Sequence, residues 1–283
     1  MEYRFTKMHG IGNDFVVFDT YTQPLTLSRE QVRHIADRQF GIGCDQVLLL
    51  EPPKNHETDV CYRIFNADGG EVMQCGNGAR CAAVYLREKA LVTKDRIIAE
   101  TGKGRLILQI DADNCVTVDM GVPEFEPAKI PLKADEQLEE YELSLDGNHQ
   151  TFGGDELTFG AVSLGNPHAV IIVDEVDSAP VNVIGPAVQL SGVFPESVNV
   201  GFIEILNRQA FKLRVFERGS GETLACGSGA CAAMVIACQQ GYLEGTIDAE
   251  LRGGHLTLRW AGQGEPVYMT GPATTVFEGK IEL

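Results

Sequence analysis

The sequence predicts an α+β protein of two pseudo-symmetric domains, each an antiparallel β-sheet or barrel wrapped around one central helix. Three observations predict it. The chain repeats itself: at an offset of 151 residues, Phe65, Gly70, Glu71 and Cys75-Gly76 meet Phe216, Gly221, Glu222 and Cys226-Gly227. At an offset of 153, Gly12-Asn13 and Gln46-Val47 meet Gly165-Asn166 and Asn199-Val200. The repeating unit is half the chain, far longer than the ~20–50 residues of solenoid and propeller repeats. Each half also sets several short strand-like runs around one apolar, alanine-rich helical run. Finally, 283 residues with 44% hydrophobic content can bury a core in each half.

Taken in order, Arg4–Met8 and Asp14–Thr20 read as short strands joined by a glycine-bearing turn at Gly10-Ile11-Gly12-Asn13. Ser28-Arg29-Glu30-Gln31 is a capping box, so a helix starts there and runs toward Phe40, where Gly41 and Gly43 end it. Val47–Leu50 and Val60–Asn66 return to strand. A second helix follows from Gly76 to about Ala90, and Ile97–Glu100, Arg105–Ile110 and Val116–Met120 are further strands. The acidic, proline-bearing stretch from Pro123 to Gly154 reads as the passage between halves. Ala169–Val173, Gly201–Leu206 and Phe211–Phe216 are strands of the second half, followed by a helix from Gly227 to Gln239 that Gly241 stops.

A formal charge of −17 argues against a nucleic-acid or anionic-membrane partner, since either requires a basic footprint. Met1-Glu2-Tyr3-Arg4-Phe5 has no apolar signal-peptide region, and no run approaches the ~18 apolar residues of a membrane span. A cytoplasmic protein with reduced thiols is expected. Of the eight cysteines, Cys61 alternates in a strand, while Cys81, Cys231 and Cys238 lie in helical runs, where free cysteine packs as a small hydrophobe. The spacings Cys75 to Cys81 and Cys226 to Cys231 do not suit zinc, and no metal is expected.

Cys75 and Cys226 each stand just ahead of a helix whose first amides have no intrahelical partner. Glycines behind them let the backbone approach a ligand, so one helix start can serve a thiolate and a substrate carboxylate. The helix dipole contributes ~0.3–2 kcal/mol and lowers a thiol's pKa by at most about one and a half pH units. A mixed thiol and thiolate population suits a pair in which one member takes a proton and the other gives one. Inversion of a carbon–hydrogen centre wants that pair. Asn13, Gln46, Asn66, Asn166, Asn199, Glu217 and Arg218 gather polar groups around the same landmarks, as a zwitterionic substrate requires.

Asn66-Ala67-Asp68-Gly69 with Cys75-Gly76-Asn77-Gly78-Ala79-Arg80-Cys81, Gly165-Asn166-Pro167-His168, and Glu217-Arg218-Gly219 with Cys226-Gly227-Ser228-Gly229 closely resemble the diaminopimelate epimerase family. Lys7–Phe15 and Gly41–Gln46 fit it as well, so the resemblance covers essentially the whole chain. It implies a cofactor-independent epimerase interconverting LL- and meso-2,6-diaminopimelate by a two-base mechanism, in lysine and peptidoglycan precursor biosynthesis. Cys75 and Cys226 become the acid–base residues. Gly76-Asn77 and Gly227-Ser228 would hold the reacting carboxylate, and Asn13, Gln46, Asn66, Asn166, Asn199 and Arg218 other polar groups of substrate. Glu217 would accept from an ammonium, and His168 and Glu217 would tune protonation. The family fold implies domains at 1–120 with a returning C-terminal strand at 272–283, and at 121–271, in a homodimer. A proline or hydroxyproline racemase shares the two-thiol logic, and a non-catalytic redox-sensing amino-acid-binding module would pair the same cysteines in a disulfide. A phenazine-biosynthesis-type isomerase lacks the paired thiols.

Overall fold

The structure, a computed structural model, describes residues 1–73, 75–102, 104–145 and 156–283. In chain order the elements are β1 (Glu2–Gly10), β2 (Asn13–Asp19), α1 (Arg29–Ala36), β3 (Gln46–Glu51), β4 (Val60–Asn66), β5 (Glu71–Val72), α2 (Gly76–Glu88), β6 (Arg96–Thr101), β7 (Gly104–Ile110) and β8 (Val116–Asp119). There follow β9 (Tyr141–Ser144), β10 (Glu156–Ser163), β11 (Pro167–Ile172), α3 (Val181–Leu190), β12 (Asn199–Asn207), β13 (Ala210–Glu217), β14 (Gly221–Thr223), α4 (Gly227–Gln239), β15 (Thr246–Leu251), β16 (Gly254–Trp260), β17 (Val267–Gly271) and β18 (Thr274–Glu282). Contacts divide the chain into two compact units, Met1–Asp119 with Thr270–Leu283, and Met120–Met269.

The two units share one path. In the first, β1 and β2 form a hairpin, β2 crosses over by α1 to a parallel β3, and β3 doubles back as β4. From β4 the chain crosses over by α2 to a parallel β6. In the second, β10 and β11 form the hairpin, α3 carries the chain to a parallel β12, and β13 returns. α4 then leads to a parallel β15. The sheets are thus largely antiparallel, with parallel pairs wherever a helix intervenes, because a helical crossover returns the chain in its original direction. Register follows the repeat: Phe15 pairs with Gln46 in the first unit, and His168 with Asn199 in the second.

α2 and α4 are the central helices. Gly76 through Leu86 and Ala230 through Ala237 are all buried, which suits their mostly small or apolar residues, Asn77 and Arg80 of α2 being the buried polar exceptions. Small residues also set how closely the sheet wraps: a Cβ on Gly160 of β10 would lie 2.4 Å from Ile236 Cγ2 of α4. The other face of each sheet carries a second helix. Val32, Ile35 and Ala36 of α1 pack with Val16, Phe18, Val47 and Leu49, which is why Val47 through Leu50 form an unbroken buried run.

Three elements differ from expectation. α1 has its capping box, Ser28 Oγ accepting from Gln31 N at 3.2 Å and Gln31 Oε1 from Ser28 N at 2.9 Å, but it ends at Ala36. There the Asp37 carboxylate accepts from the amides of Gln39 and Phe40 and turns the chain. Gly41 follows because a Cβ there would collide with the His34 carbonyl. α3 was not among the expected elements, and it holds Pro186 inside it. The stretch after Pro123 is more than a passage: Ile130, Leu132, Tyr141 and Leu143 join the second unit's core with Phe159 and Phe194. Its residues 146–154 lie outside the described residues.

Cys61, Cys81 and Cys231 are buried as expected, Cys238 is only partly buried, and all eight cysteines are thiols rather than disulfides. Among the described residues no group of side chains could hold a metal ion, and no helix is long and apolar enough to cross a membrane.

The repeat also duplicates a fork-to-fork ion pair that pins the short hairpin ahead of each cysteine. Arg63 grips Glu71 at 2.7 and 2.8 Å, and at the same offset Arg214 grips Glu222 at 2.7 and 3.0 Å. Only the second is buried, with the Glu222 side chain 8% exposed. Glu222 also accepts from Arg252 at 3.1 Å and from Asn182 at 2.8 Å, so Arg214→Ala should cost about 1.5–3 kcal/mol by removing a buried charge-assisted fork without stranding the carboxylate, against about 0–1 kcal/mol for Arg63→Ala. Urea unfolding of the two variants checks the difference.

Candidate active site

Cys75 is the N-cap of α2, in extended conformation (φ −145°), with its carbonyl accepting from Ala79 N at 2.9 Å. That carbonyl also accepts from the hydroxyl of buried Tyr62 at 3.0 Å. Gly78 makes room for this bond, since a Cβ there would sit 2.7 Å from Tyr62 Oη. Burial, then the neighbouring Cys75 and Cys81, push the Tyr62 hydroxyl well up, so it stays a donor.

A line of side chains runs past the sulfur. Cys75 Sγ lies 3.9 Å from Asn13 Oδ1, which also accepts from Asn77 Nδ2 at 3.2 Å. Asn77 Oδ1 accepts from Arg80 Nη1 at 3.0 Å, and Asn13 Nδ2 donates to Asp45 Oδ2 at 2.9 Å. Arg80 is fully buried, with its Nε donating to the Pro272 carbonyl at 3.2 Å. Gly10 admits the guanidinium, because a Cβ there would meet Arg80 Nη2 at 2.9 Å. Beside this line, Gln46 Nε2 donates to Asn66 Oδ1 at 2.8 Å, the two residues facing one another in the β3–β4 register.

Cys226 is the N-cap of α4 (φ −122°) and is 5% exposed. The helix start was expected to lower its thiol; the opposite holds. Burial pushes the thiol well up, the Glu217 charge and a hydrogen bond to Glu217 add to that, and the Gly229 amide and Ser228 hydroxyl oppose it only weakly. Cys226 is therefore a thiol near neutrality. Glu217 Oε1 in turn accepts from Thr223 Oγ1 at 2.5 Å.

Ser228 Oγ lies 3.7 Å from Cys226 Sγ and accepts from Asn166 Nδ2 at 3.2 Å, while Asn166 Oδ1 meets His168 Nε2 at 3.1 Å. Burial, aided by the positive charge of Arg218, lowers His168 to about 3, so the ring is neutral and donates to Asn166. His168 reaches Cys226 only through Asn166 and Ser228. Asn199 bridges backbone, donating to the Pro167 carbonyl at 3.2 Å and accepting from Arg218 N at 2.9 Å, and the Arg218 guanidinium donates to the Glu196 carbonyl. Of the expected residues, Asn13 and, through it, Asn77 are linked to Cys75, and Ser228, Glu217 and, through Ser228, Asn166 and His168 to Cys226; Gln46 with Asn66, and Asn199 with Arg218, form separate bonded pairs in the same units.

The family model described as diaminopimelate epimerase matches residues 5–126 and 160–276. The chain belongs to the diaminopimelate epimerase family. It is 52% identical to the diaminopimelate epimerase of Alkalilimnicola ehrlichii and 53% identical to that of Thioalkalivibrio sulfidiphilus, each alignment covering 100% of both chains. Among solved structures it is similar to a Bacillus anthracis phenazine biosynthesis protein of the PhzF family (TM-score 0.69, 15% identity, 100% of each chain). It is also similar to a hydroxyproline epimerase from Agrobacterium vitis (TM-score 0.67, 16% identity, 99% of this chain and 92% of the other). At such identity these two likenesses show the fold alone.

Within this diaminopimelate epimerase family member, sequence reasoning passed over Tyr62, Asp45, Arg80 and Thr223. Asp45 and Arg80 do carry a signal: at the repeat offsets they stand opposite Val198 and Cys231, so charge appears in one half where the other is apolar.

His168 yields a pH prediction. Its folded pKa of about 3 lies below the ~6.5 of an unfolded histidine. As pH falls the unfolded chain takes the proton first, so the contribution present above about 6.5 is lost progressively down to about 3. At about 1.4 kcal/mol per pH unit, lowering pH from about 6.5 to about 5 should cost about 2 kcal/mol through this residue. His168→Gln, which keeps a donor toward Asn166, is expected to remove that part of the loss in urea unfolding at the two pH values.

Proposed function

We propose that this chain is a cofactor-independent epimerase interconverting LL- and meso-2,6-diaminopimelate, a step in supplying lysine and peptidoglycan precursor, with Cys75 and Cys226 as its two proton carriers. The observation that carries this reading is the pair of cysteines at duplicated helix starts, in a chain about half identical over its full length to diaminopimelate epimerases. Inversion at an α-carbon needs a base on one face and an acid on the other. One sulfur takes the α-proton as a thiolate, the electron pair stays on carbon and its carboxylate, and the other thiol returns a proton to the opposite face. The two thiols exchange protonation states, and solvent resets them.

The amides of Gly76-Asn77 and Gly227-Ser228 serve as the carboxylate site, because helix-start N–H groups favour negative charge and strengthen their bonds as charge develops on it. Asn13, Gln46, Asn66, Asn166, Asn199 and Arg218 bind the remaining polar groups of substrate. Glu217 accepts the ammonium. Its negative charge and hydrogen bond help to hold Cys226 protonated, so pairing Glu217 with a cation relaxes that hold when substrate arrives. Ionisation is thereby coupled to binding. The same reading makes the protein a cytoplasmic homodimer, where a reducing compartment keeps its thiols free.

Incubation with LL-diaminopimelate in deuterated water under reducing conditions should place solvent deuterium at an α-carbon; its absence would sink the reading. Cys75→Ser and Cys226→Ser should each lower kcat by about a thousandfold or more. Glu217→Gln should allow Cys226 to be alkylated at lower pH than in the parent, as read by iodoacetamide labelling and peptide mass spectrometry.

A further inference from the structure

We propose that Asp45 is a positioning residue: it fixes the side-chain amide of Asn13 with its oxygen toward Cys75, so that Cys75 rests as a thiol until substrate displaces that contact. The inference rests on Cys75 being a proton carrier.

The argument is one of hydrogen-bond direction. A carboxylate only accepts and a guanidinium only donates, whereas a side-chain amide does either depending on which way it is turned. The line Arg80, Asn77, Asn13, Asp45 has a guanidinium at one end and a carboxylate at the other. With Arg80 Nη1 donating, Asn77 must present Oδ1 to it and Nδ2 to Asn13. With Asp45 accepting, Asn13 must present Nδ2 to it and Oδ1 to Asn77 and Cys75. Both ends demand the same sense, so neither amide can turn without setting donor against donor or acceptor against acceptor. An acceptor facing the sulfur favours the thiol over the thiolate.

Asp45 is itself held. Its Oδ1 accepts from Arg38 Nη2 at 2.9 Å, its Oδ2 from Asp14 N at 3.2 Å, and its own amide donates to Asp14 Oδ1 at 2.9 Å. Asp14 is gripped in turn by Arg38 at 2.7 and 3.0 Å and by Lys7 at 2.5 Å, and the Lys7 ammonium also donates to the Gly43 carbonyl. Burial raises the Asp14 carboxyl, but these hydrogen bonds outweigh it and hold it at about 2. The anchor therefore keeps its charge across the physiological range.

The repeat supplies an internal comparison. In the second unit Val198 and Cys231 stand at the positions of Asp45 and Arg80. There neutral His168 takes Asn166 Oδ1, and Asn166 points Nδ2 at Ser228, the reverse of the sense imposed on Asn13. The same asparagine is thus held in opposite directions in the two halves, and charged residues impose the direction only beside Cys75.

The test is the pH dependence of Cys75 alkylation in the substrate-free full chain, read by iodoacetamide labelling and peptide mass spectrometry between about pH 6 and pH 10. Asp45→Asn removes the demand at one end of the line, because residue 45 can then donate to Asn13 Oδ1, and leaves only Arg80, acting through Asn77, to hold the Asn13 oxygen toward the sulfur. The midpoint for Cys75 should fall by about one pH unit, and Asp45→Glu should restore the parent value. Tyr62 and Cys81, whose charges bear on this thiol, and Arg80, Asp14, Arg38 and Lys7, which belong to the same bonded network, are unchanged in these variants. Removing a negative charge would lower the midpoint on its own, so Asp45→Asn is repeated in an Asn13→Ala background. A smaller shift there than in the single variant supports positioning through Asn13. An unshifted midpoint in the single variant, or an equal shift in both backgrounds, overturns it. Asp45→Ser carries the same expectation should Asp45→Asn not fold. Because no turnover is read, this outcome is independent of α-proton exchange, and failure of the epimerase reading would show separately.

Discussion

A helix buried along its length meets polar groups chiefly at its ends, and that constraint organises each half of this molecule. The sheet closes around α2 and α4 because most of their residues are small or apolar, the buried Arg80 of α2 being bonded to Asn77 and the Pro272 carbonyl, and closure leaves the first-turn amides as a concentrated polar feature. A cysteine at such a start is held by its own carbonyl, which begins the helix, while its side chain points away from the ladder of helical bonds. The glycines that follow are needed for packing as much as for ligands, as Gly78 against Tyr62 shows. Rigidity of the cysteine and tight wrapping of the sheet are one property.

From this shared frame the two halves diverge in electrostatics. Around Cys226 the controlling group is Glu217, a carboxylate beside a buried thiol, and the helix start cannot offset it. Around Cys75 charge is kept one residue back, on Asp45 and Arg80, and reaches the sulfur through the orientation of two amides. A direct charge can be neutralised by a ligand of opposite sign. An oriented dipole is changed by displacing it.

The duplicated Arg63–Glu71 and Arg214–Glu222 pairs belong to the same logic. Each ties the hairpin ahead of a cysteine to the strand carrying Asn66 or Glu217, so the two are braced as one element. The brace is buried only in the second unit, where Arg214 also donates to the carbonyls of Val176, Asp177 and Ala179 and so secures the approach to α3.

Much of this was legible in the sequence. The repeat placed both helix starts and the polar residues beside them, because backbone geometry at a helix start depends on local residue types: a residue able to cap, then glycine and alanine. The capping box at Ser28 was equally local. What escaped was settled by contacts distant in sequence. α1 stops at Asp37 because its carboxylate outcompetes the helix for two amides, and α3 tolerates Pro186 within a helix that packs into the second unit's core. The thiol of Cys226 is raised because burial and Glu217 come together only in the folded chain. Composition and motif determined which groups are present and that they come in pairs. Tertiary structure decided their direction, since whether Asn13 offers oxygen or nitrogen depends on Asp45 at one end and Arg80 at the other, and such polarity arises only when the whole line is assembled.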